Sequence, residues 1–189
     1  NVKKILNAPE HFVDESLEGI LLAYGDKIKG LNGDNRVIVR NTPKPGKVGI
    51  VTGGGSGHLP VFMGYVGEGM LDGCAVGNVF ASPSSQKMFD MIQACNQGGG
   101  VLCLYGNYGG DNMNFNIACE MADFEDIPTK MVRVCDDVAS SPKETKEKRR
   151  GVAGLVYAYK IAGAAAEEMH SLEEVAALAE KALENIRTM

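Results

Sequence analysis

The sequence predicts an α/β chain: a three-layer α/β/α sandwich around a mostly parallel sheet, with a helical C-terminal third. Three observations carry this. Short β-branched or apolar runs recur at Val48–Val51, Cys74–Val76, Val101–Tyr105 and Met131–Cys135, roughly 27 residues apart, a spacing that leaves room for a helix between most of them. Helix-start signals stand at Ser82-Pro83 and at Ser171-Leu172-Glu173-Glu174. The 189 residues, 44% of them apolar, suffice to bury a core as one domain spanning 1–189, and no repeat or low-complexity linker marks a second.

In chain order, the first element is an amphipathic helix over Glu10–Tyr24, where Phe12, Val13, Leu17, Ile20 and Leu21 recur at helical spacing and Gly25 offers a stop. Arg36–Arg40, built on Val37-Ile38-Val39, reads as a strand, and Pro43, Pro45 and Gly46 then break the chain. Val48–Val51 runs straight into Gly53-Gly54-Gly55-Ser56-Gly57-His58. Ser82-Pro83 places a capping hydroxyl before a proline at the first helical position, and Val101–Tyr105 leads into a helix containing Phe115, Ile117 and Met121. After Met131–Cys135 the chain from about Arg150 to Met189 is mostly helix, its last segment opened by the capping box at Ser171.

Composition excludes several functions. A formal charge of −5, a pI near 5.3 and sparse aromatic residues argue against nucleic-acid binding, which draws on basic patches and stacking platforms. The five cysteines (Cys74, Cys95, Cys103, Cys119, Cys135) are odd in number, scattered and without a C-x-x-C pair, as expected of buried reduced thiols. No N-terminal stretch resembles a signal peptide, and the weakly polar segment from Gly151 to Ala166 is interrupted by Lys160. The expectation is a cytoplasmic protein that does not bind membranes.

Ligands of parallel sheets sit at the carboxyl ends of the strands, so the loops there are the candidates. The Gly53–His58 loop is not a Walker A loop, since His58 and Leu59 stand where lysine and Ser/Thr are required. Pro60 likewise stands where a dinucleotide fingerprint needs its third glycine. A glycine-rich run offers bare backbone N–H groups to a small polar or phosphorylated ligand, against the alternative of a tight turn with a structural histidine. The second loop, Gly106-Asn107-Tyr108-Gly109-Gly110-Asp111, sets Asp111 at a strand-to-helix junction, where capping is the competing role. Two glycine-rich loops at one sheet edge, one ending in histidine and one in aspartate, favour an acid/base pair beside a hydroxylated substrate. In the third loop, Asp136-Asp137, capping is favoured over metal binding. His11 and His170 read as surface residues. The run Lys143–Arg150 reads as a solvated helix face, with Arg149-Arg150 open to an acidic partner.

Five motifs occur in order: Gly53-Gly54-Gly55-Ser56-Gly57-His58-x-Pro60, Phe80-x-Ser82-Pro83, Asn107-Tyr108-x-Gly110-Asp111-x-x-Asn114-Phe115, Asp136-Asp137-Val138-Ala139 and Arg149-Arg150-Gly151-Val152-Ala153. Together they resemble the dihydroxyacetone kinase family, specifically the N-terminal lobe of its dihydroxyacetone-binding (DhaK-type) subunit, from Val2 to near Ile186. The resemblance implies that Gly55, Ser56, Gly57 and His58 contact a ketose such as dihydroxyacetone, and that Asp111 acts with His58 on the hydroxyl that attacks phosphorus. It implies ATP or ADP with magnesium on a separate helical kinase subunit or domain, and a homodimer. The family's covalent anchor is a histidine in a second lobe absent from this chain, which implies inactivity in isolation. Bacterial members often carry a lysine at the position of Gly106. Its absence points to another ketose, such as erythrulose, or to a non-catalytic ketose-sensing paralogue.

Overall fold

A computed structural model describes residues 4–58 and 62–189; Asn1, Val2 and Lys3, and Leu59 and Pro60 of the first motif, lie outside the described residues. Six strands form one sheet: β1 (Ile28–Leu31), β2 (Asp34–Arg40), β3 (Gly49–Gly54), β4 (Gly73–Val76), β5 (Val101–Gly106) and β6 (Thr129–Val134), in the order β1-β2-β4-β3-β5-β6. The β4/β3, β3/β5 and β5/β6 pairs are parallel, and β2 is antiparallel to both β1 and β4. The helices are α1 (Phe12–Tyr24), α2 (Ser85–Cys95), α3 (Gly109–Phe124), α4 (Leu155–Glu167) and α5 (Leu172–Leu183).

The period-two alternation of strand side chains builds the three layers. Along β5, Leu102 and Leu104 join Ile38, Ile50, Val76, Val132 and Val134 in a core under α1, α4 and α5. The intervening Val101, Cys103 and Tyr105 pack with Val37, Val39 and Val51 under α2 and α3. Strands buried on both faces read as unbroken apolar runs, which is why β3, β4 and β5 stand out in the sequence. Alanines at 158, 162, 165 and 166 bring α4 close to the sheet, and among the described residues no helix is long and apolar enough to cross a membrane.

The helical C-terminal third is as the sequence predicts, including the capping box: Ser171 accepts from the Glu174 N–H while the Glu174 carboxylate accepts from the Ser171 N–H. Gly25 does end α1, as its C-cap and in a right-handed conformation. Other expectations shift. The cap of α2 is Ser84, accepting from the Lys87 N–H, not Ser82, and Pro83 precedes the helix. Strand β1, absent from the sequence reading, pairs with β2 through Asn32-Gly33, whose positive φ values of 50° and 83° make the left-handed turn that a tight hairpin requires. Among the described residues, the β3-to-β4 connection holds short 3-10 turns at Ser56–His58 and Met63–Tyr65. Residues 143–148 form 3-10 turns broken at Thr145 rather than a helix. Arg150 pairs with Asp137 (3.2 Å) and Arg149 Nε donates to Ser141 O (2.8 Å), so both arginines find acceptors within the chain.

At the amino end of the parallel strands a buried charge network ties the layers. Asp72 accepts from Arg40 (3.1 Å), from Lys47 Nζ (2.5 Å) and from the Ile50 N–H (2.8 Å), while Glu167 of α4 accepts from Arg40 (2.5 Å).

Candidate functional site

Strand β3 has β4 on one side and β5 on the other, so the chain changes direction across the sheet at its carboxyl end. There the flanking loops splay apart and leave a crevice. A cavity of about 330 Å³ opens there, lined by Gly55 and His58 after β3, Phe80, Ala81 and Ser82 after β4, Tyr108, Gly110 and Asp111 after β5, and Phe62.

Asp111 is the third residue of α3, not its cap. Tyr108 occupies the cap position and makes no side-chain cap bond. The Asp111 carboxyl is 7% exposed, and its Oδ1 accepts from the hydroxyl of Ser82, which the sequence reading had given to capping α2. Burial raises the Asp111 pKa above the ordinary carboxylate value, opposed by the Ser82 hydrogen bond and by the His58 charge. His58 closes a 3-10 turn in the wall of the same cavity. Its exposed ring meets Phe62 edge-on at 6.3 Å and the 83%-exposed Phe80 at 5.8 Å.

The glycines of the first loop serve a different purpose from the one their number suggests. The Ser56 N–H donates to Asn78 O (3.0 Å) and the Gly57 N–H to Val79 O (2.8 Å). These two donors are spent on the chain itself rather than offered to a ligand. Side chains are excluded by proximity: a Cβ on Gly55 would lie 2.8 Å from Val79 O, and one on Gly57 would lie 2.6 Å from it. Of the predicted contact residues, Gly55, His58 and Asp111 line the cavity. Ser56 is buried behind it at 4% exposure, and Gly57 does not line it.

The motifs quoted from the sequence converge here because most of their polar members are struts. Asn107 Nδ2 donates to Glu147 O (3.0 Å) and Arg149 O (2.8 Å), Tyr108 Oη to Gly151 O (2.8 Å) and Asn114 Nδ2 to Pro83 O (2.7 Å). Phe115 stacks on Tyr105, centroids 4.2 Å apart. Asp136 accepts from the Val152 (2.9 Å) and Gly154 (2.8 Å) N–H groups and from Thr188 Oγ1, and Asp137 accepts from the Ala139 N–H (3.1 Å). The capping role expected of that pair is the one they play. His11 is exposed, and His170 lies near Glu168 and Glu174, away from the cavity. Sequence reasoning missed Phe62, Ala81 and Tyr108 as cavity walls and Ser82 as the partner of Asp111. The Phe80-x-Ser82-Pro83 motif was the available signal.

The cavity's donor set is one carboxylate and one imidazole, and among the described residues no three His, Cys, Asp or Glu side chains gather as metal ligands. Magnesium in phosphoryl-transfer sites is held by one or two carboxylates together with waters and substrate phosphates, and the one carboxylate here already has an oxygen engaged by Ser82.

Comparison with known proteins follows the same outline. The Dak1 domain pattern matches residues 18–189. The dihydroxyacetone-binding subunit DhaK of the PTS-dependent dihydroxyacetone kinase 1 of Listeria innocua is 46% identical over 188 residues, which is 100% of this chain and 57% of that protein. The L-erythrulose kinase of Pectobacterium atrosepticum is 42% identical over 186 residues, 98% of this chain and 31% of its own length. The crystal structure of the dihydroxyacetone kinase from C. freundii in complex with AMP-PNP and Mg2+ superposes with a TM-score of 0.90 at 33% identity, covering 98% of this chain and 34% of that one. The chain thus spans from about a third to little more than half of the proteins it resembles.

Proposed function

Because this chain belongs to the Dak1 domain family, we propose that it is the substrate-binding lobe of a dihydroxyacetone-type kinase, holding a short-chain ketose while a terminal hydroxyl is phosphorylated. The observation that carries the reading is the buried Asp111 carboxylate, tethered by Ser82 and lining, with His58, a cavity at the sheet's switch point.

With Oδ1 held by Ser82, Asp111 has Oδ2 to present to a ketose hydroxyl. Taking up that hydroxyl's proton as the oxygen attacks phosphorus neutralises a carboxylate that burial has already made more basic, so the environment favours the transfer. His58, in the wall of the same cavity, orients the same hydroxyl. Phe62, Phe80 and Tyr108 give the cavity apolar walls against which the carbon chain of the ketose can lie. Catalysis of phosphoryl transfer rests largely on positioning and charge, which two side chains on a rigid sheet edge supply. The nucleotide and magnesium belong in this proposal to a separate helical domain or subunit. Family membership also motivates a cytoplasmic homodimer, checked by light scattering.

The test is phosphoryl transfer to dihydroxyacetone and erythrulose by the full-length protein with its nucleotide-bearing partner. Asp111→Ala and His58→Ala are each expected to lower kcat by about 10²–10⁴. Near-normal turnover in both would refute the assigned roles. A second reading, a ketose-sensing regulator, is motivated by Gly106: a Cβ there would lie 3.1 Å from Tyr108 Cε2 and 3.4 Å from Gly151 O, so a lysine requires the Tyr108 ring to shift. Ketose binding without turnover of either sugar would favour it.

A further inference from the structure

Cys103 on β5 and Cys119 on α3 place their Sγ atoms 3.8 Å apart, both buried. The two elements are the ones that build half of the site: β5 ends at Gly106, where the Asn107–Asp111 loop begins, and α3 carries Asp111 in its first turn. Neither sulfur has a part in the ketose chemistry described above. Cys74 and Cys95 have no such thiol neighbour among the described residues, and Cys135 is only half-buried.

We propose that Cys103 and Cys119 are a modification site, a dithiol that a peroxide oxidises to an intramolecular disulfide fastening β5 to α3. A disulfide S–S bond is about 2.05 Å, so the two sulfurs close by about 1.8 Å, a movement within the scope of side-chain rotation. The roles of the two thiols differ. Hydrogen bonding from the Cys103 thiol holds the Cys119 thiol below its usual pKa, against the opposing effect of burial, whereas Cys103 is pushed up. Cys119 is also the one that keeps a sliver of exposure, 8% against 0%.

Cys119 is therefore the attacking thiolate. Its sulfur displaces hydroxide from hydrogen peroxide, breaking the O–O bond and forming a sulfenic acid; the hydroxide takes up a proton as water. Cys103 sulfur then attacks the Cys119 sulfur, the S–S bond forms, the S–O bond breaks, and the departing hydroxide leaves as water with the Cys103 proton. Two thiols are oxidised by two electrons, one peroxide is reduced, and two waters are released.

The experiment treats the folded protein with hydrogen peroxide, blocks remaining thiols with N-ethylmaleimide in denaturant, and maps peptides after cleavage on the amino side of aspartates. Cleavage before Asp111 separates the two cysteines. The expected result is a cross-linked pair of peptides whose fragments place the bond between Cys103 and Cys119, two fewer blocked thiols, and full reversal by dithiothreitol. In Cys103→Ser, dimedone is expected to capture a sulfenic acid on Cys119. Recovery of both thiols blocked, or oxidation confined to Cys135, would overturn the proposal; the wild-type map decides even if the variant does not fold.

Discussion

Replacing Ser82 by alanine deletes one hydroxyl, and the structure assigns that hydroxyl to the Asp111 carboxylate rather than to a helix cap. A hydrogen bond to a charged acceptor contributes about 1.5–3 kcal/mol. Losing that tether also misplaces the carboxylate relative to the ketose hydroxyl, which is expected to lower kcat/KM by up to about a hundredfold. At 7% exposure the carboxylate leaves little room for water to replace the missing donor. The sign of the pH effect follows from the same contact. Ser82 stabilises the charged form of Asp111, so its removal raises the carboxyl pKa further above the ordinary value. Asp111 accepts a proton only when ionised, so activity falls as pH drops through that pKa, and Ser82→Ala moves the acid limb of the profile to higher pH. Helix α2 keeps its Ser84 cap, but the buried Asp111 loses its hydrogen-bond partner, so the thermal midpoint is expected to fall by about 3–12 °C. The assay is ketose phosphorylation across pH, with the thermal midpoint measured alongside. An unmoved acid limb, or an unchanged thermal midpoint, would refute the assignment of Ser82 to Asp111.

Three further outcomes follow from the same contacts. Asp111→Asn removes a carboxylate that burial penalises when charged; its raised pKa contributes stability below the unfolded value of 3.8 that is lost as pH rises through the folded value. The variant should therefore melt about 2–4 °C higher at neutral pH, for about 1 kcal/mol, with the advantage shrinking toward acid in a thermal-shift series. Asp72→Ala leaves Lys47, 2% exposed, without its closest carboxylate and the Ile50 N–H without an acceptor. A loss of about 3–5 kcal/mol in urea unfolding is expected, far more than for an exposed aspartate. Gly57→Ala drives a methyl to 2.6 Å from Val79 O; displacement of the His58 turn should lower ketose affinity in calorimetry, with about 1–3 kcal/mol lost in unfolding.

The layers were legible because strands covered on both faces write unbroken apolar runs, and β3, β4 and β5 are such strands. Strand β1 was not, since its residues Ile28-Lys29-Gly30-Leu31 carry too little alternation. Its signal was the Asn32-Gly33 turn, a hairpin mark that the apolar pattern does not contain. His58 and Asp111 were legible as a pair because each ends a glycine-rich loop at one sheet edge. Their surroundings depend on long-range partners that no local pattern encodes: Ser82 reaches Asp111 across 29 residues, and the loop's N–H groups at Ser56 and Gly57 are claimed by Asn78 and Val79. A glycine run is compatible with open donors and with close backbone packing alike, and only the fold decides between them. The same holds for Asn107, Tyr108 and Asn114, whose contacts are struts to residues 83 and 147–151.

The central claim is that a short-chain ketose sits between the loops after β3, β4 and β5. Its most direct test is an NMR titration of the full-length protein with dihydroxyacetone, following backbone amide shifts. The account predicts that saturable changes cluster at Gly55, His58, Ser82 and Asp111. Changes confined to the opposite end of the sheet, around Arg40 and Asp72, or no saturable change at all, would contradict it.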